Sequence, residues 1–456
     1  MPGRVEDQDI FELAATILSS TVDLNKFLRK RKLQALSFDN PAPNVSLSPE
    51  NAAFHNAKST IVEAAERLID IVRGPRDVLI ELSFQHCASA SLQVILRYGI
   101  HHSVPLNGAT TYAKIAEAVG RGLSPAFIER ILQHAMSFGL FSKATCGHVS
   151  HNTVSSLLVT DSDLEAWLYL CANIAYPAGA QIPKAIDQYG VSAEANETAY
   201  SVSIGRKISQ FEHFREPDGH DEHEMFARAM RGISAGGAYD VRHVVDGGYP
   251  WHELEEREGT LCVDVGGGPG HVSMALARKY PKLRFEVQDL PETVEVGARN
   301  CPEELKDRFN FRAHDFFKLQ PEHDVSNGQA IVYFARFILH DWSDKYARQI
   351  LDPLAKGMRA QDRLILNEVV VPEPGEMARQ IERKCHDRDL LMLMNLNGRE
   401  RTLSAFNDLF QAVTPRLRVS KVHRPPQGEL SLIEVVLDDD DGTKVDWNAT
   451  NGISHT

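Results

Sequence analysis

The stretch TLCVDVGGGPGHVSMALARKYP, residues 260–281, constrains the fold more than any other part of the chain. A short apolar strand pattern runs into a glycine cluster that begins at Gly266, and an amphipathic helix pattern follows. Glycine lets the backbone turn tightly and approach a ligand closely, and the N-terminus of the helix offers free N–H groups. Such turns also occur only because a strand and a helix need a tight connection, so the turn alone does not identify a ligand. Because short strands alternate with helices from residue 260 onward, the sequence predicts an α/β domain with a mostly parallel sheet.

Composition and charge narrow the class of protein. The chain has 456 residues, 43% of them hydrophobic and 24% charged, which is enough for two or three domains with their own cores. The net charge of −13 disfavours nucleic acid or an anionic membrane as a partner, and no apolar run approaches the length of a membrane span. The six cysteines lack the spacing of metal ligands or of a disulfide framework, and the acidic N-terminus differs from a signal peptide. We therefore expect a cytoplasmic protein with no nucleic acid, no membrane and no metal as partners.

Breaks in the helical spacing of apolar residues, and a later change to alternating strands and helices, predict four segments. They are a helical extension with a linker, a helical and winged-helix part, an α/β part, and an acidic tail that we expect to be disordered. Their bounds are residues 1–58, 59–240, 241–437 and 438–456. Two helix patterns and a hairpin at residues 112–152 are typical of a winged helix. A winged helix that reads DNA needs a basic surface, but the second helix here carries a single arginine. DNA binding is therefore not favoured.

Side chains at successive strand ends favour an adenosine ligand without a pyrophosphate. A dinucleotide fingerprint that starts at Gly266 needs a further glycine at position 271, where this chain has His271. The next strand pattern ends in Asp289, whose carboxylate can accept hydrogen bonds from ribose hydroxyls. The third strand pattern ends near Asp315 and Phe316. The Asp315 carboxylate can accept a hydrogen bond from the amine of an adenine, and the Phe316 ring can stack on the face of that base. Each of these residues, taken alone, is also compatible with an ordinary surface position.

The stretch FARFILHDWSD, residues 334–344, places His340 at the end of a fourth strand pattern, where open parallel sheets bind ligands. A lone histidine there is also compatible with a buried core residue. Histidine, with an ordinary pKa of about 6.5, is suited to remove a proton from a hydroxyl group. We expect Asp341 to cap the following helix, and we consider Glu368 and Glu400 better partners for the imidazole ring.

A family resemblance rests on these residues. The run from VDVGGGPG through DLP and HDFF to LHDWSD resembles the class I S-adenosylmethionine-dependent O-methyltransferases of the caffeate and flavonoid type and their fungal natural-product relatives. It covers residues 84–437 and is most specific between 261 and 402. The resemblance implies a Rossmann-like methyltransferase domain with a mostly parallel seven-stranded sheet, preceded by a mainly helical, winged-helix dimerisation domain, and hence a homodimer. It implies S-adenosyl-L-methionine as cofactor, bound by Gly266, Gly268, Asp289, Asp315, Phe316 and Arg336, the last a lysine in many relatives.

The same resemblance implies the catalytic and acceptor-binding residues. His340 matches the family's general base, and Glu368 and Glu400 match the two glutamates that flank it. Acceptor contacts are implied for Phe226, Met230, Ile233 and Met392. Phenylalanine and methionine at helical spacing are equally often plain core residues.

Three functions are compatible with these patterns. The leading one is an O-methyltransferase that acts on a phenolic or enolic hydroxyl of a small secondary metabolite, by a direct displacement that needs no metal. The alternative is a methyltransferase-like pericyclase or dehydratase that binds the cofactor without transferring methyl, and the third is a cofactor-sensing regulator. We interpret the segment with His213, His220 and His223 as an exposed acidic loop rather than a metal site.

Overall fold

A computed structural model describes two compact units that alternate along the chain. The described residues are 9–438 apart from 39–42, 44, 46–48, 146, 236, 257–258, 327–328, 378 and 426–427. The first unit comprises residues up to Gln181, Phe211–Ser234 and Ala378–Gln380, and the second comprises Ile182–Gln210, Ala235–Met377 and the chain from Ile381 onward. The segment bounds predicted at 58, 240 and 437 stay predictions, and the acidic tail beyond Asp438 lies outside the described residues.

Helices account for most of the first unit and flank the sheet of the second. In chain order they are α1 Ile10–Lys30, α2 Ala52–Arg97, α3 Tyr112–Val119, α4 Pro125–Ser137, α5 Thr153–Thr160, α6 Ser162–Leu170, α7 Tyr176–Gly179, α8 Ile182–Tyr189, α9 Ala199–Ser203, α10 Gln210–His213, α11 His220–Ser234, α12 Arg242–Val245, α13 Trp251–Glu255, α14 His271–Lys279, α15 Pro291–Asn300, α16 Asp344–Gly357, α17 Arg379–Leu396 and α18 Leu403–Gln411.

The strands form two sheets. In chain order they are β1 Ala109–Thr111, β2 Ser142–Lys143, β3 His148–Ser150, β4 Leu261–Val265, β5 Arg284–Asp289, β6 Phe309–Ala313, β7 Ile331–Arg336, β8 Arg363–Val371, β9 Arg401–Thr402, β10 Leu417–His423 and β11 Leu430–Leu437.

The first unit contains the winged helix that the sequence predicts. Strands β1, β3 and β2 form a small antiparallel sheet beside α3 and α4. Ser124 caps α4 by accepting a hydrogen bond from the Phe127 N–H, and Pro125 occupies the first helical position. Apolar side chains of these elements, among them Ile115 and Leu132, are fully buried in one core. The long helix α2 is interrupted at Gly74, directly before Pro75, and the φ of 76° at Gly74 lies in the left-handed region that glycine adopts readily.

The second unit is a Rossmann-like α/β domain. Its main sheet has the order β10-β11-β8-β7-β4-β5-β6, parallel from β8 to β6 and antiparallel at β11 and β10, with β9 pairing beside β8. This confirms the predicted mostly parallel seven-stranded sheet. Strands β4 and β7 are completely apolar except for Asp264 and Arg336, because both of their faces are covered.

The order of the strands also locates the site. The chain proceeds outward in one direction from β4 to β5 and β6, and then returns to β7 on the other side of β4. Ligands of open α/β sheets bind at this reversal point, beyond the carboxyl ends of the strands. The residues that follow β4 and β7 are the glycine turn and the segment with His340.

Candidate functional site

The glycine turn after β4 has little room for side chains on two of its residues. A Cβ atom on Gly266 would lie 2.5 Å from Cδ1 of Ile338, and one on Gly267 would lie 2.4 Å from the carboxyl carbon of Asp264. Gly268, with a φ of 57°, has no atom within 4 Å of that position. The turn therefore packs closely against the protein on one side and leaves open space beside Gly268.

Asp289 lies at the end of β5, next to this turn. Its Oδ2 accepts a hydrogen bond of 2.8 Å from the Gly268 N–H, and its Oδ1 accepts one of 2.7 Å from the Leu290 N–H. Burial raises the pKa of the carboxyl group, against the effect of these hydrogen bonds. The structure thus brings two of the predicted cofactor residues together and orients the carboxylate by backbone groups. The remaining lone pairs can accept further hydrogen bonds.

Asp315 and Phe316 follow the end of β6. The Phe316 ring lies beside the glycine turn, since its Cε1 would be 3.6 Å from a Cβ on Gly266. The ring also packs edge-on against Trp342, with centroids 6.1 Å apart. Asp315 is half-exposed, and its carboxylate accepts a hydrogen bond from the Phe317 N–H. An aromatic face and a carboxylate therefore flank the same end of the sheet.

Arg336, the last residue of β7, is held by protein groups. Its guanidinium donates to Oδ1 of Asn367 at 2.8 Å and to the carbonyl oxygen of Tyr239 at 2.7 Å. It also lies over the Phe337 ring, 4.8 Å from the centroid. Burial lowers the pKa of this guanidinium to about 10, although Asp264 and other carboxylates oppose that shift. A positive charge is thereby fixed at the edge of the site.

The sequence suggested that His340 ends the strand, but the structure places it beyond the strand. Strand β7 ends at Arg336, and His340 lies in a 3₁₀ turn, Leu339–Asp341. Phe337 between them has a φ of 55°, a left-handed conformation that is strained for a bulky side chain and typical of functional sites. This reversal turns the chain out of the sheet before the imidazole is reached.

The expectation that Asp341 caps the next helix is wrong. Helix α16 begins at Asp344, with Ser343 at the N-cap position, because the 3₁₀ turn adds residues before the helix. The Asp341 carboxylate instead lies beside the imidazole, with Oδ1 3.3 Å from Nε2 of His340. Burial raises the pKa of Asp341 to about 7, although the positive charge of His340 opposes that shift.

The imidazole ring of His340 is held on its other side by Glu400. Its Nδ1 lies 2.9 Å from Oε1 of Glu400, a hydrogen-bond distance, and its face stacks on Phe337 with centroids 5.1 Å apart. Burial alone would lower the pKa of His340, but the negative charges of Asp341, Glu400 and Glu368 outweigh it and raise the pKa to about 10. The histidine is thus a strongly basic group in a buried, acidic environment.

Glu368 holds the backbone of the turn rather than the ring. Its Oε1 accepts hydrogen bonds from the N–H groups of Ile338 and Leu339, at 3.0 and 2.8 Å. Its side chain is fully buried, and burial raises its pKa. Glu368 and Glu400 therefore have different roles, although the sequence assigned both to the histidine.

Sequence reasoning missed Arg401 and Asp264. The Arg401 side chain is fully buried and donates to the carbonyl oxygens of Leu339 and Trp342, at 2.7 and 2.8 Å, on either side of His340. Asp264 accepts a hydrogen bond of 2.6 Å from the Ser273 hydroxyl beneath the glycine turn. Both lie next to motifs already identified, in RERT and VDVGG, but only the folded chain shows what they contact.

The predicted acceptor residues are distributed over the two units. Phe226, Met230 and Ile233 lie half-buried on α11 of the first unit, where Phe226 packs on Phe214 with centroids 5.4 Å apart. Met392 lies half-buried on α17 of the second unit. Their contact with an acceptor stays a prediction.

Two side-chain groups have the spacing of metal ligands in the described part of the chain. They are His340 with Glu368 and Glu400, and His101 with His102 and Glu165, each with ligand atoms within 4.8 Å of one another.

The segment with His213, His220 and His223 is not the exposed loop that we expected. His213 ends α10 and is buried, while the other two lie in α11, where His223 stacks on Phe214.

The chain is similar to known proteins along its length. A family model described as the O-methyltransferase domain matches residues 191–414, and one described as the O-methyltransferase dimerisation domain matches residues 80–161. The chain is 62% identical to the O-methyltransferase CTB2 of Cercospora beticola over 100% of both chains. It is 68% identical to the O-methyltransferase elcB of Phaeosphaeria nodorum over 85% of this chain and 89% of that one. The solved structure of OxaC in complex with SAH and oxaline has a TM-score of 0.69 at 22% identity, covering 93% of this chain and 100% of OxaC, and shows similarity of fold alone.

Proposed function

This chain belongs to the S-adenosylmethionine-dependent O-methyltransferase family, and on that premise we propose that it methylates a phenolic or enolic hydroxyl of a small secondary metabolite, with His340 as the general base. The contact that carries the proposal is the 2.9 Å hydrogen bond between Nδ1 of His340 and Oε1 of Glu400. It fixes the ring so that Nε2 is the nitrogen left for an acceptor hydroxyl. A phenol, with a pKa of roughly 10, is a poor nucleophile until a base removes its proton.

The residues around His340 provide for the proton that the acceptor loses. The O–H bond of the acceptor breaks and its proton passes to Nε2 of His340. The oxygen would form its bond to the methyl carbon as the bond between that carbon and the positively charged sulfur breaks, and the sulfur would leave as an uncharged thioether. The imidazolium that results is stabilised by Glu400 at Nδ1 and by Asp341, 3.3 Å from Nε2. Glu368 and Arg401 act as positioning residues, because they bind the backbone on both sides of the histidine.

The high pKa of His340 determines the pH at which this base works. Neighbouring carboxylates raise the pKa to about 10 against the effect of burial, so the ring is largely protonated at neutral pH in the protein alone. A general base acts only in its deprotonated form. We therefore infer that activity increases as the pH rises toward the pKa of His340. Asp341 provides a second acceptor for the proton at Nε2.

The cofactor, S-adenosyl-L-methionine, supplies the electrophilic methyl group on a positively charged sulfur. The residues present fit it: Gly268 leaves open space beside the turn, and Asp289 provides a half-buried carboxylate there for ribose hydroxyls. Phe316 and Asp315 are suited to the face and the amine of an adenine. Arg336 contributes a fixed positive charge, although its two terminal nitrogens already donate to protein groups.

Relatives support an oxygen atom as the methyl acceptor, since CTB2 and elcB are named O-methyltransferases. An aromatic or enolic metabolite also suits the proposed base, since its hydroxyl is acidic enough to lose a proton to an imidazole whose pKa is about 10.

The oligomer that we propose is a homodimer built on the dimerisation domain at residues 80–161. Helix α2 exposes large apolar side chains there and just before it, with exposed fractions of 67% for Leu79, 57% for Leu82 and 61% for Phe84. Within the described residues it is also the one helix long and apolar enough to cross a membrane, a test of length and composition that core helices of soluble proteins also pass. Size-exclusion chromatography with light scattering tests the proposal, and a monomer at micromolar concentration would contradict it.

The function is tested with methyl-labelled S-adenosylmethionine and a panel of phenolic and enolic polyketides, followed by mass spectrometry of the products. We expect label in an aryl or enol ether with the wild type and with His252→Ala, which removes an exposed histidine of α13. His340→Ala should bind the cofactor with unchanged affinity and transfer no label. An acceptor that is converted without label would contradict methyl transfer, and transfer by His340→Ala at the wild-type rate would contradict the base.

A further inference from the structure

A second cluster of polar side chains lies in the first unit, outside the methyl-transfer site. His101 and His102 belong to the 3₁₀ turn Ile100–Ser103 that follows α2, and Glu165 lies on α6. Oε1 of Glu165 is 2.8 Å from Nε2 of His101 and 2.9 Å from Nε2 of His102. Both imidazoles therefore direct the same nitrogen at one carboxylate oxygen.

Both ring nitrogens of His101 face an oxygen atom, although a neutral imidazole has only one N–H to donate. Its Nδ1 lies 3.2 Å from the carbonyl oxygen of Ile95, and its Nε2 lies against the Glu165 carboxylate. The carbonyl oxygen can only accept a hydrogen bond, so in a neutral ring Nδ1 carries the proton and the Nε2 lone pair faces Oε1 of Glu165. The His101 side chain is only 1% exposed, which leaves little room for water at that contact.

A cation between the ligand atoms removes this conflict. With Nδ1–H donating to the Ile95 carbonyl, the Nε2 lone pair is free to coordinate, which is the common arrangement of metal-bound histidines. The other oxygen of Glu165 lies 4.0 Å from Nη2 of Arg228, so the positive charge of Arg228 is on the side of the carboxylate away from Oε1. Two imidazoles and one carboxylate are a donor set that occurs in zinc sites.

We propose that His101, His102 and Glu165 bind one divalent cation of the zinc class. Bonds of about 2.0–2.2 Å in a tetrahedral site separate ligand atoms by roughly 3.3 Å, so the present contacts need to widen by about half an ångström. His102 has a half-exposed side chain, which leaves a position for water as the fourth ligand. The ion would join the end of α2 to α6, and the proposal does not depend on the methyl-transfer reaction.

The test uses the full-length protein, freed of metal by a chelator and then titrated with Zn²⁺ in a calorimeter and with Co²⁺ in an absorption spectrometer. Because His101 is fully buried and its removal risks misfolding, the informative variants are His102→Ala and Glu165→Gln. Matched controls are His220→Ala, which removes an exposed histidine, and His340→Ala, which removes the other group with metal-ligand spacing.

We expect the wild type, His220→Ala and His340→Ala to share one site with the visible spectrum of a four-coordinate Co²⁺ ion. His102→Ala and Glu165→Gln should lose that spectrum and bind Zn²⁺ at this site at least about tenfold more weakly. Zinc should also raise the thermal midpoint of the wild type and not that of the two variants. Absence of binding to the wild type, or equal binding by all five proteins, would overturn the proposal.

Discussion

Replacing Asp341 with asparagine tests the electrostatics of the proposed base. The change keeps the size of the side chain and removes one negative charge, whose Oδ1 lies 3.3 Å from Nε2 of His340. Because that charge favours the protonated imidazole, its loss should lower the pKa of His340. The ring is then deprotonated over a wider range of pH, so the rise of activity with pH should begin at a lower pH.

The size of the shift follows from the distance. Two unit charges at 3.3 Å interact with roughly 5 kcal/mol at an effective dielectric constant of about 20, which is an upper bound here because Asp341 is itself partly protonated near neutral pH. Neighbouring charges at this range usually shift a pKa by about 1–3 units. We therefore expect the pKa of His340 to fall by about two units, or roughly 3 kcal/mol. Glu400 and Glu368 remain and keep it above its ordinary value.

The assay is the pH dependence of kcat/KM for both proteins with one acceptor, so that the ionisation of the acceptor affects both profiles equally. Asp307→Asn, which removes an exposed carboxylate in the 3₁₀ helix Glu303–Arg308, should retain the wild-type profile. The maximal rate of Asp341→Asn should fall, since the imidazolium loses a stabilising partner. A rising limb at the same pH in Asp341→Asn and wild type would refute the reasoning.

Three further substitutions test other parts of the account. Gly267→Ala should weaken binding of S-adenosylhomocysteine at least about tenfold in calorimetry, because the new Cβ would lie 2.4 Å from the Asp264 carboxyl carbon, and wild-type affinity would contradict the packing of the turn. Glu368→Ala leaves two buried N–H groups without an acceptor, so it should cost about 1–3 kcal/mol or more in denaturant unfolding and also slow methyl transfer; unchanged stability would show that the turn is held otherwise. Phe410→Ala should cost about 3–5 kcal/mol of unfolding free energy, since the ring is fully buried in the core beneath the sheet, and a loss below about 1 kcal/mol would contradict that burial.

The architecture of the second unit was accessible from the sequence because its signals are local. A strand pattern, a glycine cluster and a helix pattern are contiguous at residues 260–281. The turn between the strand and the helix is packed so tightly that it requires glycine. Alternation of short strands and helices then leaves few sheet topologies, since parallel connections follow one handedness. The winged helix was accessible for the same reason.

The chemistry of the site was less accessible, because it depends on contacts between distant residues. The sequence does not distinguish the roles of Glu368 and Glu400. In the structure Glu368 binds the backbone before His340, and Glu400 binds the imidazole ring. The position of Asp341 depends on the positive φ of Phe337, which no local pattern signals. Arginine is usually a surface residue, and the burial of Arg401 is explained by the two carbonyl oxygens and the Asp344 carboxylate that accept its N–H groups in the fold.

The central claim is that His340 removes the proton from the acceptor hydroxyl. It is tested most directly by the rate of a single turnover, measured by rapid quenching with labelled cofactor and excess enzyme, for wild type and His340→Gln. The account predicts that His340→Gln binds S-adenosylhomocysteine as the wild type does and loses at least about a hundredfold in the chemical step. A single-turnover rate equal to that of the wild type would contradict it, because the methyl group would then move without this base.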